Sequence, residues 1–423
     1  MELSPTNKSN TLMEFFLSNN KIPHLANQEE VHPILQTVLD DLLDANKWIE
    51  EAKKDPEFYH LKMKKIKKEE DIPVCSHLQS VYIDSTVVTH IKKKSVFLST
   101  YTIYLLDKTI TIHFIFEKGY LDSKWKEPNI QMMNSYVDNM LLWLHLSNKH
   151  TKDVCANNLV IFVYLTSLEK NIPKMENEVI SPNHVNTGVT TACPLNGEIA
   201  IYRIEEWFKV FIHESIHTLG LDFARMNVKV SEDKLREIFY IPTPILLFEA
   251  YTEFWARVMN TLIVSFRWSE GDSTSFLLFV DFLLAYERVH CVFQMNKLLT
   301  HMKLKYMDLY TNPTLLDTYR EGTNAFVYYV ITAILMSNYP EFIQWCSNQQ
   351  DELMQFKLTE ENQLSLCEYI KNHFNTKTML QMVKHSSTLY SKISILSKSN
   401  KSKKIKTILN SLRMSLLEVK FSS

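Results

Sequence analysis

The chain reads as an α+β protein, with a mainly β N-terminal half interrupted by one helix and a run of helices after it. Three observations lead there. Stretches rich in β-branched and aromatic residues cluster between residues 80 and 204, the composition of half-buried strands. Before residue 60 and after residue 240, apolar residues recur three and four apart, the period of an amphipathic helix. At 423 residues and 45% hydrophobic content, the chain is long enough to bury a sizeable core with extensions around it.

Residues 1–72 are expected to form a helical extension. Its pattern is clearest in "VHPILQTVLDDLLDANKWI", and it ends in a Lys-rich linker, "KMKKIKKEED". The main domain is expected over 73–395, β-rich to about residue 204. "SVYIDSTVVTHI" (80–91), "SVFLSTYTIYLL" (95–106) and "TITIHFIF" (109–116) read as strands. A helix from about Asn129 to Leu146 follows, then strands at "NLVIFVYL" and "EIAIYRI". Residues 396–423 are expected to hold a Ser/Lys-rich connection and a C-terminal helix.

Several function classes fall away on composition. Six glycines, none closely paired, build neither a dinucleotide turn nor a phosphate loop. A formal net charge of −2 gives no overall field for nucleic acid or an anionic membrane. The most apolar window, "SFLLFVDFLLAY", is short and broken by Asp281, so no membrane span is expected. Cys75, Cys155, Cys193, Cys291, Cys346 and Cys367 are scattered without a CxxC pair. That spacing suits neither a zinc ribbon nor a disulfide framework, and it fits a reducing, cytoplasmic location. The opening residues also lack the basic-then-apolar order of a signal peptide.

The chemistry concentrates in "FKVFIHESIHTLGLDF", residues 208–223. Residues four apart share one face of a helix, so His213 and His217 project together. Two imidazoles so placed can grip one zinc ion. Glu214 lies one step round, placed to act as general base on a water without ligating the metal. Phe208, Phe211, Ile212, Ile216 and Leu219 give the helix an apolar face, and Gly220 stands where a left-handed cap would end it.

These residues resemble the motif helix of the zincin metallopeptidases, in which a sheet precedes an HExxH helix and a third ligand follows. The likeness covers this helix and the segment about thirty residues on. The gluzincin branch implies a glutamate from a second helix. Here "FEAYTEF" offers Glu249 as third ligand and Glu253, one turn later, as the carboxylate that orients a histidine. Phe248 stands where thermolysin-like enzymes carry asparagine. The metzincin branch implies a ligand three residues after Gly220, where this chain has Phe223, with Asp222 one place early.

The resemblance implies one Zn2+ and a peptide or protein substrate. It also implies an edge strand beside the substrate, for which Asn186 to Thr191 are candidates, and an oxyanion donor that spacing does not pick from Tyr319, Arg320, Tyr328 and Tyr329. His184 and Cys193, in one loop, have no third group to complete a thiol–imidazole pair. The competing reading is a non-catalytic structural or interaction protein with a degenerate or purely structural zinc motif.

Overall fold

The computed structural model describes residues 2–19, 25, 27–80, 82–122, 126–151, 154–175, 178–399 and 402–422. Strand β1 (Glu2–Pro5) leads to helices α1 (Asn7–Asn19) and α2 (His32–Ala52), then β2 (His60–Lys65), α3 (Ser85–Lys94), β3 (Ser95–Leu105) and β4 (Lys108–Glu117). Helix α4 (Ile130–His150) is followed by β5 (Asn158–Leu165), the short α5 (Pro182–Val185), β6 (Gly188–Thr190), β7 (Asn196–Ile201) and the motif helix α6 (Trp207–Thr218). From there the chain is helical: α7 (Lys229–Arg236), α8 (Leu247–Ser269), α9 (Ser273–His301), α10 (Asp308–Thr311), α11 (Leu315–Thr318) and a π-helical stretch, Phe326–Ile331. Helices α12 (Thr332–Ser337), α13 (Tyr339–Gln349), α14 (Glu360–His373), α15 (Lys377–Ser399) and α16 (Lys403–Asn410) then lead to β8 (Val419–Ser422).

The main sheet has the order β2-β3-β4-β5-β7-β6. β2, β3 and β4 are antiparallel neighbours, β4, β5 and β7 run parallel, and β6 closes one edge antiparallel to β7. Successive side chains face opposite ways. Phe114, Phe116, Ile161 and Val163 therefore enter the large core shared with α2, α4, α6, α8 and α9. Ile115, Phe162 and Tyr164 enter a smaller core on the other face, covered by Val87 and Ile91 of α3. The α+β expectation holds.

Three local expectations do not. Of residues 80–91, read as a strand, 85–91 lie instead in helix α3, and Val81 lies outside the described residues. Val87 and Ile91 share its buried face, and Asp84 caps it by accepting from the Thr86 N–H; the 3.6-residue period outweighed β propensity. The Lys-rich linker begins inside β2, whose Leu61 and Met63 alternate with exposed Lys62 and Lys64. Lysines on an edge strand discourage pairing with other chains. The C-terminal segment does hold a helix, α16, but it is not the last element: residues 411–417 are buried, and β8 pairs antiparallel with β1. Asn400 and Lys401 of the Ser/Lys-rich connection lie outside the described residues. No helix among the described residues is long and apolar enough to cross a membrane.

Candidate metal centre

Helix α6 is buried along its whole length, seated between the sheet and α8. Gly197 on β7 permits that seat, since a Cβ there would stand 2.8 Å from both Thr218 Cγ2 and Ala156 Cβ. The helix ends as its sequence implies. Gly220 has φ +70°, and the N–H groups of Gly220 and Leu221 donate to the carbonyls of His217 and Ile216 at 3.1 and 3.0 Å, a Schellman turn.

That turn settles the position of Asp222. Reversal at Gly220 folds the carboxylate back onto its own helix, where Oδ2 lies 2.5 Å from His217 Nδ1. By sequence Asp222 stands one residue early for the ligand position of the metzincin branch. It is not one of the converging donors, but it holds one of the histidines. Phe223 is core, its ring 4.1 Å from that of Phe356.

Helix α8 brings the remaining carboxylates. Glu249 stands in its first turn, where a negative charge suits the helix dipole. Glu253, one turn on, shares its face. Glu253 Oε2 lies 3.1 Å from His213 Nδ1. It is gripped in turn by Lys209 Nζ at 2.9 and 2.8 Å and by Arg257 Nε at 2.8 Å. Lys209, Glu253 and Arg257 are all at most 3% exposed. At the place where the resemblance implies asparagine, the Phe248 ring packs edge-on to His217 at 5.8 Å. Asp222 supplies the hydrogen bond instead.

With each Nδ1 engaged by a carboxylate, both Nε2 atoms face one point. They are 3.2 Å apart, and Glu249 Oε2 lies 3.3 Å from His213 Nε2 and 3.4 Å from His217 Nε2. A tetrahedral zinc with ligand bonds of about 2.0–2.1 Å spaces its donors about 3.3–3.4 Å apart. The three donors thus match one face of such a tetrahedron, and two nitrogens with a carboxylate oxygen are a donor set zinc accepts. Carboxylate partners on the outer nitrogens are the usual means of fixing ligand histidines. Among the described residues this is the group of acids, histidines and cysteines close enough to share an ion.

The carboxylates around the two histidines set the charge balance of the cluster. Burial opposes protonation of His213 and His217, yet hydrogen bonds and charge from Glu249, Glu253 and Asp222 outweigh it and raise both. Glu249 is held below the usual carboxylate range because the two histidines overcome its burial. Glu214 moves the other way: burial pushes its carboxyl up, against the pull of both histidines.

Glu214, His213, Gly188, Thr187 and Tyr328 line a void of about 30 Å³, room for about two waters. Of Tyr319, Arg320, Tyr328 and Tyr329, Tyr328 borders the cluster. Its hydroxyl donates to Glu249 Oε2 at 3.0 Å, and its ring lies 6.0 Å from that of His213. It sits in the π-helical stretch, a distortion frequent at functional sites. Tyr329, by contrast, donates to the Leu412 carbonyl at 2.6 Å, and Tyr319 to Glu321 at 2.8 Å.

Asn186 to Thr191 do include an edge strand, β6, lying on α6. The thiol–imidazole pair is excluded, since Cys193 is bonded to Cys155 and His184 is engaged with Ser181 at 2.9 Å. The disulfide also corrects the expectation that the cysteines stay isolated; contact between the start of β5 and the β6–β7 loop overrides a separation of 38 residues. Compared with known protein families, curated proteins and solved structures, the chain matches none, so its geometry carries the functional reading.

Proposed function

We propose that this chain is a zinc-dependent metallopeptidase, with His213, His217 and Glu249 as ligands of one zinc ion. The observation that carries the reading is the triangle of two Nε2 atoms and one Oε2, with edges of 3.2, 3.3 and 3.4 Å. When bound, zinc supplies Lewis acidity that polarises a carbonyl and makes water acidic near neutral pH.

The chain supplies the rest. Glu253 and Asp222 fix the two imidazoles in the tautomer that leaves Nε2 free to ligate. Glu214, on the void beside His213, takes the proton of the attacking water and hands it to the departing amine. Its burial raises proton affinity, which suits a base that must hold the proton between the two steps. The Tyr328 hydroxyl, which rests on Glu249, would donate to the oxyanion formed when water adds to the carbonyl. Among the described residues β6 pairs with β7 alone, so its outer edge could take an extended peptide as an added strand.

A purely structural zinc site is the second reading. The closed surroundings favour it, since the ligand side chains are only 8, 9 and 14% exposed. Metal analysis combined with peptide cleavage separates the two. Stoichiometric zinc with chelator-sensitive cleavage that Glu214→Gln abolishes supports the peptidase. Zinc without cleavage of a broad peptide mixture supports the scaffold.

A further inference from the structure

The strand that covers Glu214 is short and tightly placed. A Cβ at Gly188 would stand 2.7 Å from Glu214 Oε1 and 2.8 Å from Val210 Cγ1, so glycine alone lets β6 lie this close. β6 pairs with β7 at three positions only, and contacts at its two ends hold it. Upstream, the Tyr202 N–H donates to the Thr187 carbonyl at 2.9 Å, and the Thr323 hydroxyl donates to Asn186 Oδ1 at 3.0 Å.

Downstream, the hydroxyls of Thr190 and Thr218 meet at 2.6 Å, and the Cys193 N–H donates to the carbonyl of His217 at 3.0 Å. Cys193 therefore touches the backbone of a proposed ligand while its sulfur is bonded to Cys155. Its φ of +45° is costly for a residue with a side chain and persists only where the surroundings impose it. Cys155 is wholly buried and Cys193 half-buried, so Cys193 is the nearer of the pair to an attacking thiol. The other four cysteines are buried and unbonded.

We propose that Cys155 and Cys193 form a reversible thiol–disulfide latch on the edge strand over Glu214. Bonded, the pair keeps residues 188–193 down on α6; reduced, it lets them lift and opens the Glu214 side of the site. The latch closes when two thiols pass two electrons and two protons to a small-molecule disulfide, which leaves as two thiols. Lifting this strand enlarges a void otherwise too small for a peptide. The consequence for turnover rests on the metallopeptidase reading; the motion itself does not.

The test compares full-length protein oxidised with glutathione disulfide, the same protein reduced with a water-soluble phosphine, and the C155S/C193S variant. Amide exchange over 188–193 is expected to be about tenfold faster in the last two, with β3 and β4 unchanged and protection restored on reoxidation of the wild type. Zinc extraction by a coloured chelator is expected to accelerate in parallel. Equal exchange in all three samples, loss of protection throughout the sheet on reduction, or free thiols at both cysteines after oxidation would each overturn the latch. If the protein binds no zinc, exchange alone decides the latch and only the zinc reading falls.

Discussion

Asp222 and His217 are joined across a Schellman turn, carboxylate to Nδ1 at 2.5 Å, so the motif helix carries the orienting acid for its own second histidine. Asp222 is 1% exposed and also accepts from the Thr252 hydroxyl at 3.3 Å, which ties this pair to α8. The first histidine takes its acid from α8 directly, through Glu253.

Asp222→Ala is therefore expected to lower zinc affinity about 10–100-fold, the scale for lost partners of ligand histidines. Competition against a chelator of known affinity measures it. An unchanged affinity would mean that packing against Phe248 alone fixes His217.

Loss of a ligand should cost more. Wild-type protein is expected to hold one zinc per chain, and His213→Ala or Glu249→Ala to lower affinity beyond the range for Asp222→Ala. Elemental analysis after dialysis checks this. Wild-type protein without zinc would leave α6 as a core helix with partnered histidines.

Glu253 separates metal binding from stability. Removing it strands Lys209 and Arg257 as buried cations, so Glu253→Ala is expected to destabilise the fold by about 3–5 kcal/mol. Denaturant unfolding of the zinc-stripped protein measures that loss without the metal. A loss below about 1 kcal/mol, the range of exposed pairs, would show that water reaches these groups.

Glu214→Gln keeps the shape of the side chain and removes the base. The variant is expected to fold and hold zinc as wild type does, yet to lose peptide hydrolysis by at least about 100-fold. A fully active variant would place the base elsewhere.

Tyr328→Phe keeps the ring against His213 and removes the hydroxyl. If Tyr328 donates to the oxyanion, kcat is expected to fall about 100–1,000-fold with KM and zinc content little changed. A rise in KM alone would make Tyr328 a substrate-binding group.

Much of this arrangement was legible in local sequence, because local sequence dictates local geometry. Four-residue spacing places His213 and His217 on one helical face whatever surrounds them. Gly220 marks the end of that helix because its left-handed φ is costly for other residues. "FEAYTEF" pairs Glu249 with Glu253 on one face of the next apolar helix, and β-branched and aromatic composition makes β3, β4 and β5 readable. Other features depended on contacts between distant segments. Asp222 looked misplaced by one residue until the turn folded it back, and nothing near Tyr328 distinguishes it from Tyr319 or Tyr329 until α8 brings Glu249 beside it. Residues 80–91 have strand composition, but the apolar face they offer the sheet is helical. Cys155 and Cys193 read as lone thiols until packing brings them together, and the ion pairs of Lys209 and Arg257 with Glu253 join groups that only the fold brings into reach. Spacing along a helix is a property of the chain, whereas the partner of a buried charge or a thiol is whichever group the assembled core places within reach.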